Sequence, residues 1–156
     1  MRFAPTALQG LVFVEPQPIE DERGSFARVF CMEEFAAAGL PAAFPRCNLS
    51  VNRRRGTLRG LHRQDEPDPE GKPVRCSRGA IWDVALDLRP DSPTFHRWLG
   101  FELTAANGRA LYIPPGFAHG FQTLEEVTDV FYQMTESYRL GIARGARWND
   151  PAFGIA

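Results

Sequence analysis

Fourteen glycines and thirteen prolines are spread so evenly along these 156 residues that they divide the chain into short pieces without leaving a linker. Glycine weakens and proline breaks the interior of a helix or a central strand, so long regular elements are excluded. The intervening pieces are rich in β-branched and aromatic residues, and LVFVEP, SFARVF, AIWDVALDL, WLGFEL, RALYIP and VTDVFYQMTE read as strands. Only MEEFAAAGL reads as a helix, with Phe35 and Leu40 apolar and a glycine near its end. Many short strands punctuated by Gly and Pro predict an all-β sandwich or barrel with few short helices. The length, with no internal repeat or low-complexity segment, predicts a single domain over residues 1–156.

Bulk properties exclude several functions. A formal net charge of −1 with 24% charged residues gives no chain-wide attraction to nucleic acid or membrane. Arg53, Arg54 and Arg55 form a local basic cluster that reads either as a solvated turn or as a rim facing phosphate. Cys31, Cys47 and Cys76 are odd in number and make no C-x-x-C pair, which argues against a disulfide framework or zinc site and suits a reducing compartment. The opening MRFAPTALQG lacks the long apolar run of a signal peptide, and no stretch approaches the ~18 apolar residues of a membrane span. A cytoplasmic protein is expected.

Chemistry concentrates at two of the three histidines. GTLRGLHRQ holds Gly56-x5-His62-x-Gln64, and GRALYIPPGFAHGF holds Gly108-x5-Pro114-x-Gly116-x2-His119. These runs resemble the two motifs of cupins, small jelly-roll β-barrels, and the resemblance implies that His62 and His119 line one barrel mouth from different strands. Gln64 stands where metal-binding cupins carry a second histidine. An amide oxygen is a poor ligand for first-row transition metals, so no metal or other cofactor is expected, even with Glu66 or Glu70 available as a carboxylate. His96, in PTFHRW, reads as a surface residue. In AIWDVALDL, Trp82, Val84, Leu86 and Leu88 share one face while Asp83, Ala85 and Asp87 share the other. Alternation alone leaves open which face meets the lumen.

The runs DERGSF, LRGLH, GKPVR, DVALDLRPDSPTF, IPPGFAHGF, FYQ and WNDP extend the likeness over nearly the whole chain. In that order they resemble the dTDP-4-dehydrorhamnose 3,5-epimerase family, metal-free cupins acting on nucleotide-linked 4-keto-6-deoxyhexoses. The resemblance implies an isomerase of deoxysugar biosynthesis that epimerises C3, C5 or both, and a homodimer. It makes a nucleoside-diphosphate 4-keto-6-deoxysugar, dTDP-linked in the family, the expected ligand. Taking a proton from beside a ketone and returning it on the opposite face requires a base, an acid and a group that holds enolate charge. By resemblance His62 is the base and Tyr132 the acid, while Lys72 and His119 meet the ketone oxygen. Arg23 and Arg59 correspond to residues at the diphosphate, where guanidinium forks fit well. Phe26 and Asn48 correspond to positions near the nucleotide, and Tyr138 to an aromatic at the sugar–nucleotide pocket. Strict alternation sets Arg59 and His62 on opposite faces of one strand; either a bulge at Gly60 between them re-aims the side chains, or Arg59 reaches around a strand end. An open edge along LQGLVFVEP would also call for a partner.

The chain departs from the family pattern at several points. Arg46-Cys47-Asn48-Leu49-Ser50 stands where the family usually reads Q-D-N-H-S, and Arg28 replaces a glutamate. These changes leave another nucleoside diphosphate open. Family members continue past WNDP into a segment whose acidic residue orients the catalytic histidine, whereas the sequence here stops at Ala156. Asp83 is expected to orient His62 instead. The alternatives are a related ketosugar isomerase, a sugar-nucleotide-binding cupin without catalysis and, last, a metal-dependent oxygenase.

Overall fold

The computed structural model describes residues 1–155. The chain runs through β1 (Arg2–Pro5), β2 (Val12–Glu15), β3 (Ile19–Asp21), β4 (Gly24–Phe26), α1 (Met32–Ala37), β5 (Arg46–Asn52) and β6 (Leu58–Gln64). It continues through β7 (Lys72–Arg78), β8 (Ala80–Asp87), β9 (Trp98–Thr104), β10 (Ala110–Ile113), β11 (Phe117–Thr123), β12 (Thr128–Met134) and β13 (Ala143–Gly145). Antiparallel pairing gives a six-stranded sheet in the order β1-β2-β10-β7-β12-β5 and a five-stranded sheet in the order β13-β6-β11-β8-β9. The β3–β4 hairpin pairs only with itself. This is the expected cupin jelly roll.

The core lies between the large sheets. Val74, Cys76, Leu111 and Val130 from one pack with Ile81, Ala85, Phe117 and Phe121 from the other, as period-2 alternation requires of strands with one face inward. Both outer faces also carry cover. Phe35 of α1 meets Phe3, Phe30 and Phe44 edge-on above Val14 and Ala110. Phe153 and Ile155 pack over Leu61, Val84 and Leu86 of the five-stranded sheet. β8 is therefore buried on both faces, and its Asp83 and Asp87 point into the molecule.

Three local expectations are revised. Of SFARVF only the first part belongs to a strand, β4; beyond it the chain departs from regular pairing and Phe30 joins the aromatic cluster. The helix ends at Ala37, and Gly39 makes the turn behind it at φ +72°. The edge along LQGLVFVEP is not open, because Arg2–Pro5 folds back to pair with Val12–Glu15 and β10 takes the other side. The exposed edges of that sheet are β1 and β5. No helix among the described residues is long and apolar enough to cross a membrane.

Candidate active site

A cavity of about 620 Å³ lies between the sheets, with wall residues from both. Register explains which side chains reach it. Asn48 pairs with Tyr132 and Arg46 with Met134, while Tyr132 also pairs with Val74. Directly paired residues share a sheet face. Arg46, Asn48, Tyr132 and Lys72 thus face inward with the core residue Val74, and Leu49 and Val51, at the opposite parity on β5, point outward, 60% and 56% exposed.

On the opposite sheet His119 of β11 pairs with His62 of β6, and two residues further along β11, Phe121 pairs with Arg59. Two steps along β11 match three along β6, so β6 carries one extra residue, a bulge that returns Arg59 to the face of His62. Gly60 makes it possible. Its φ is +109°, and a Cβ there would sit 2.5 Å from the Gly120 Cα and 2.6 Å from the His119 carbonyl oxygen. Arg59 is then held by donating from Nε to Asn52 Oδ1 at 2.7 Å. The apparent parity conflict between Arg59 and His62 is resolved as the sequence suggested.

Asp83 does not orient His62. Fully buried, it places Oδ1 2.7 Å from Nε2 of His119. The strand order explains this correction: β11 lies between β8 and β6, and Asp83 pairs with Phe121, beside His119. The carboxylate accepts the Nε2 proton of His119 and so fixes the orientation of the ring. Among the described residues no carboxylate hydrogen-bonds to His62. Partial burial, then the nearby Lys72 and His119, hold the His62 pKa below its ordinary value, which favours a neutral, proton-accepting imidazole. Asp87, on the same face of the same strand, is absorbed by structure: Arg89, Ser92 and Thr94 all donate to it.

Lys72 is buried, and Glu70 approaches it at 3.4 Å. The other oxygen of Glu70 accepts from Arg46 at 2.9 Å, and Arg46 lies 5.7 Å over the ring of Tyr138. Among the described residues lining the cavity, Glu70 supplies the only carboxylate, against Arg46, Arg59, Arg63 and Lys72. The wall is suited to a polyanion. Gln64 is occupied with structure: its Nε2 donates to the carbonyls of Asp68 and Ser137, and its Oε1 accepts from the Arg139 backbone.

His62, Lys72, His119, Tyr132, Asn48, Arg59 and Tyr138 therefore come together at one cavity, with Asp83 behind His119. Arg23 and Phe26 do not join them within the same chain. They lie on the β3–β4 hairpin, where Phe26 is 75% exposed and Arg23 pairs with Asp21. Arg53, Arg54 and Arg55 occupy an exposed turn after β5, and His96 is at the surface against Phe95. Sequence reasoning missed Glu70 as the partner of Lys72, having weighed it only as a metal carboxylate, and treated Arg46 only as a departure. The Glu70-x-Lys72 spacing, opposite charges two residues apart entering a strand, was the available signal.

A family model described as dTDP-4-dehydrorhamnose 3,5-epimerase matches residues 5–156. The dTDP-4-dehydrorhamnose 3,5-epimerase of Methanothermobacter thermautotrophicus is 45% identical, the alignment covering 99% of this chain and 82% of that protein. The enzyme of the same name from Sinorhizobium fredii is 41% identical over 99% of this chain and 80% of that protein. Among solved structures, the dTDP-4-dehydrorhamnose 3,5-epimerase of Bacillus anthracis with TDP and pyrophosphate bound superposes with a TM-score of 0.96. It is 38% identical and covers 99% of this chain and 88% of that one.

Proposed function

The chain belongs to the dTDP-4-dehydrorhamnose 3,5-epimerase family, and from that membership we propose how its own residues carry the reaction. It is an isomerase that epimerises a nucleoside-diphosphate 4-keto-6-deoxyhexose beside the ketone, and the dTDP-linked sugar is the substrate we assign. Neutral His62 takes the proton from carbon, and the electron pair moves onto the ketone oxygen as an enolate. Lys72 and His119, the latter backed by Asp83, hold that charge. Tyr132 then delivers a proton to the carbon from the other face, and the ketone re-forms. Arg59 meets the diphosphate, with Asn48 and Tyr138 toward the nucleoside.

The observation that carries this reading is the provenance of the two proton-transfer groups. His62 stands on the five-stranded sheet and Tyr132 on the six-stranded sheet, with the cavity between them. A sugar ring held there meets a base on one face and an acid on the other, as inversion requires.

The working form we assign is a homodimer in the cytoplasm. Supporting the dimer are Ile19 and Phe26, 74% and 75% exposed on a hairpin paired only with itself, beside Arg23. A hairpin of this kind from a second copy would bring Phe26 and Arg23 to the nucleotide end of the cavity. Three free cysteines suit a reducing compartment. The test is incubation with dTDP-4-keto-6-deoxyglucose in D2O, followed by NMR and mass spectrometry. Deuterium at C3 or C5 with inverted configuration supports the reading, and binding without exchange at either carbon contradicts it.

A further inference from the structure

The chain carries 17 arginines and one lysine. That lysine, Lys72, is the one buried cation among the described residues of the cavity wall, at 8% side-chain exposure. The choice has a physical meaning. Arginine stays charged wherever it is put, whereas a buried ammonium gives up its proton readily unless something holds it. Six charged or titratable groups face Lys72 from the surrounding elements: Glu70 from the preceding loop, Arg46 of β5, His62 of β6, Asp83 of β8, His119 of β11 and Tyr132 of β12. Glu70 alone among them touches it, and Glu70 is shared with Arg46.

We propose that Glu70 is a positioning residue that holds Lys72 charged at the reacting ketone, and that Arg46 competes with Lys72 for the same carboxylate. The inference rests on the functional reading above for the role of Lys72, but not for the pairing itself. Arg46 lies over Tyr138, toward the nucleoside, and its buried Nε has no hydrogen-bond partner among the described residues. It therefore offers a free donor to an acceptor on a ligand. When Arg46 turns toward a ligand, Glu70 is left more fully to Lys72, so nucleotide occupancy strengthens the charge that stabilises the enolate. Burial drives the Lys72 pKa down, Glu70 and then Asp83 oppose this, and Arg46 reinforces it. The two neighbours thus act with opposite sign.

The opposite signs give the test. Because the chain has a single lysine, protein grown on side-chain-labelled lysine yields one lysine NMR signal to titrate in the free enzyme. Glu70→Gln is expected to move the Lys72 midpoint, and the alkaline limb of kcat/KM, to lower pH by about one unit, the loss of one charged hydrogen bond. Glu70→Asp recovers part of both. Arg46→Gln is expected to move the midpoint to higher pH. An unmoved midpoint in Glu70→Gln, or shifts of the same sign in both variants, overturns the proposal. If Glu70→Gln does not fold, Arg46→Gln decides alone, and the absence of an upward shift overturns it. A parent protein that titrates as described yet exchanges no deuterium refutes the functional reading and leaves the pairing standing.

Discussion

The two sheets that enclose the cavity build their halves of the site by different means. On the five-stranded sheet, backbone register does the placing. A bulge at Gly60 returns Arg59 to the face of His62, and a buried Asp83 holds His119 at 2.7 Å. On the six-stranded sheet, plain alternation brings Arg46, Asn48, Tyr132 and Lys72 inward, and their charges are settled among themselves through Glu70. The lesson is that on one half a main-chain insertion decides which side chains face the cavity, while on the other ordinary alternation does so and one shared carboxylate links two cations. Proton removal is assigned to the five-stranded half and proton delivery to the six-stranded one, and the enolate charge is shared between His119 of the first and Lys72 of the second.

The largest expected break in this arrangement comes from Gly60→Ala. A side chain at φ +109° that also meets the backbone of Gly120 and His119 at 2.5–2.6 Å costs at least about 3 kcal/mol. Thermal denaturation should show a Tm lower by about 6–12 °C, and deuterium exchange should disappear with the bulge. No glycine on the six-stranded side of the cavity should have a comparable effect on exchange.

Next in size is a pair of substitutions on one face of β8. Asp83→Asn removes the charge behind His119, an interaction of about 1.5–3 kcal/mol, and should lower kcat roughly 10- to 100-fold. Asp87→Asn should leave kcat per folded molecule unchanged and lower Tm instead. Burial alone would favour a protonated Asp87, but the hydrogen bonds from Arg89, Ser92 and Thr94 hold its pKa well below the usual carboxylate range. A depressed pKa contributes stability above the unfolded value near 4 and loses it as pH falls further. The Tm gap between parent and Asp87→Asn should therefore narrow in acid.

The smallest effect joins the sheets. Desolvation, Lys72 and His119 all lower the His62 pKa, so the acid limb of kcat/KM should lie below the ordinary histidine value near 6.5. Lys72→Met should move that limb upward as it weakens catalysis. A limb that stays put would show that the two halves do not communicate through charge.

Much of this was legible in the sequence, and the gaps have physical causes. Gly60 pointed to the bulge as one way to reconcile Arg59 with His62 on one strand, the other being an Arg59 that reaches around a strand end, and the register selects the bulge. The two histidine motifs marked β6 and β11, the strands that carry His62 and His119. By contrast, RCNLSVN alternates in burial but puts Arg46, Asn48, Ser50 and Asn52 on its inward face, because that face is partly the site itself, so β5 carries no clear hydrophobic signature. Strand β7 is buried on both sides from Lys72 to Val74 and opens with a lysine and a proline, which hides it equally well. The partner of Asp83 was unreadable for another reason: which histidine it meets depends on strand order, and periodicity within a strand says nothing of its neighbours. The covered edge of β2 escaped notice because Arg2–Pro5 is too short to register as a strand.

The central claim, that base and acid approach from opposite sheets, is tested most directly by following deuterium uptake and inversion separately in two variants in D2O. His62→Ala should lose uptake by about 10²–10⁴-fold, because no proton leaves carbon. Tyr132→Phe should retain much of the uptake and lose inversion, because His62 still returns a proton to the face it came from. Equal and mild losses of both signals in the two variants would contradict the account.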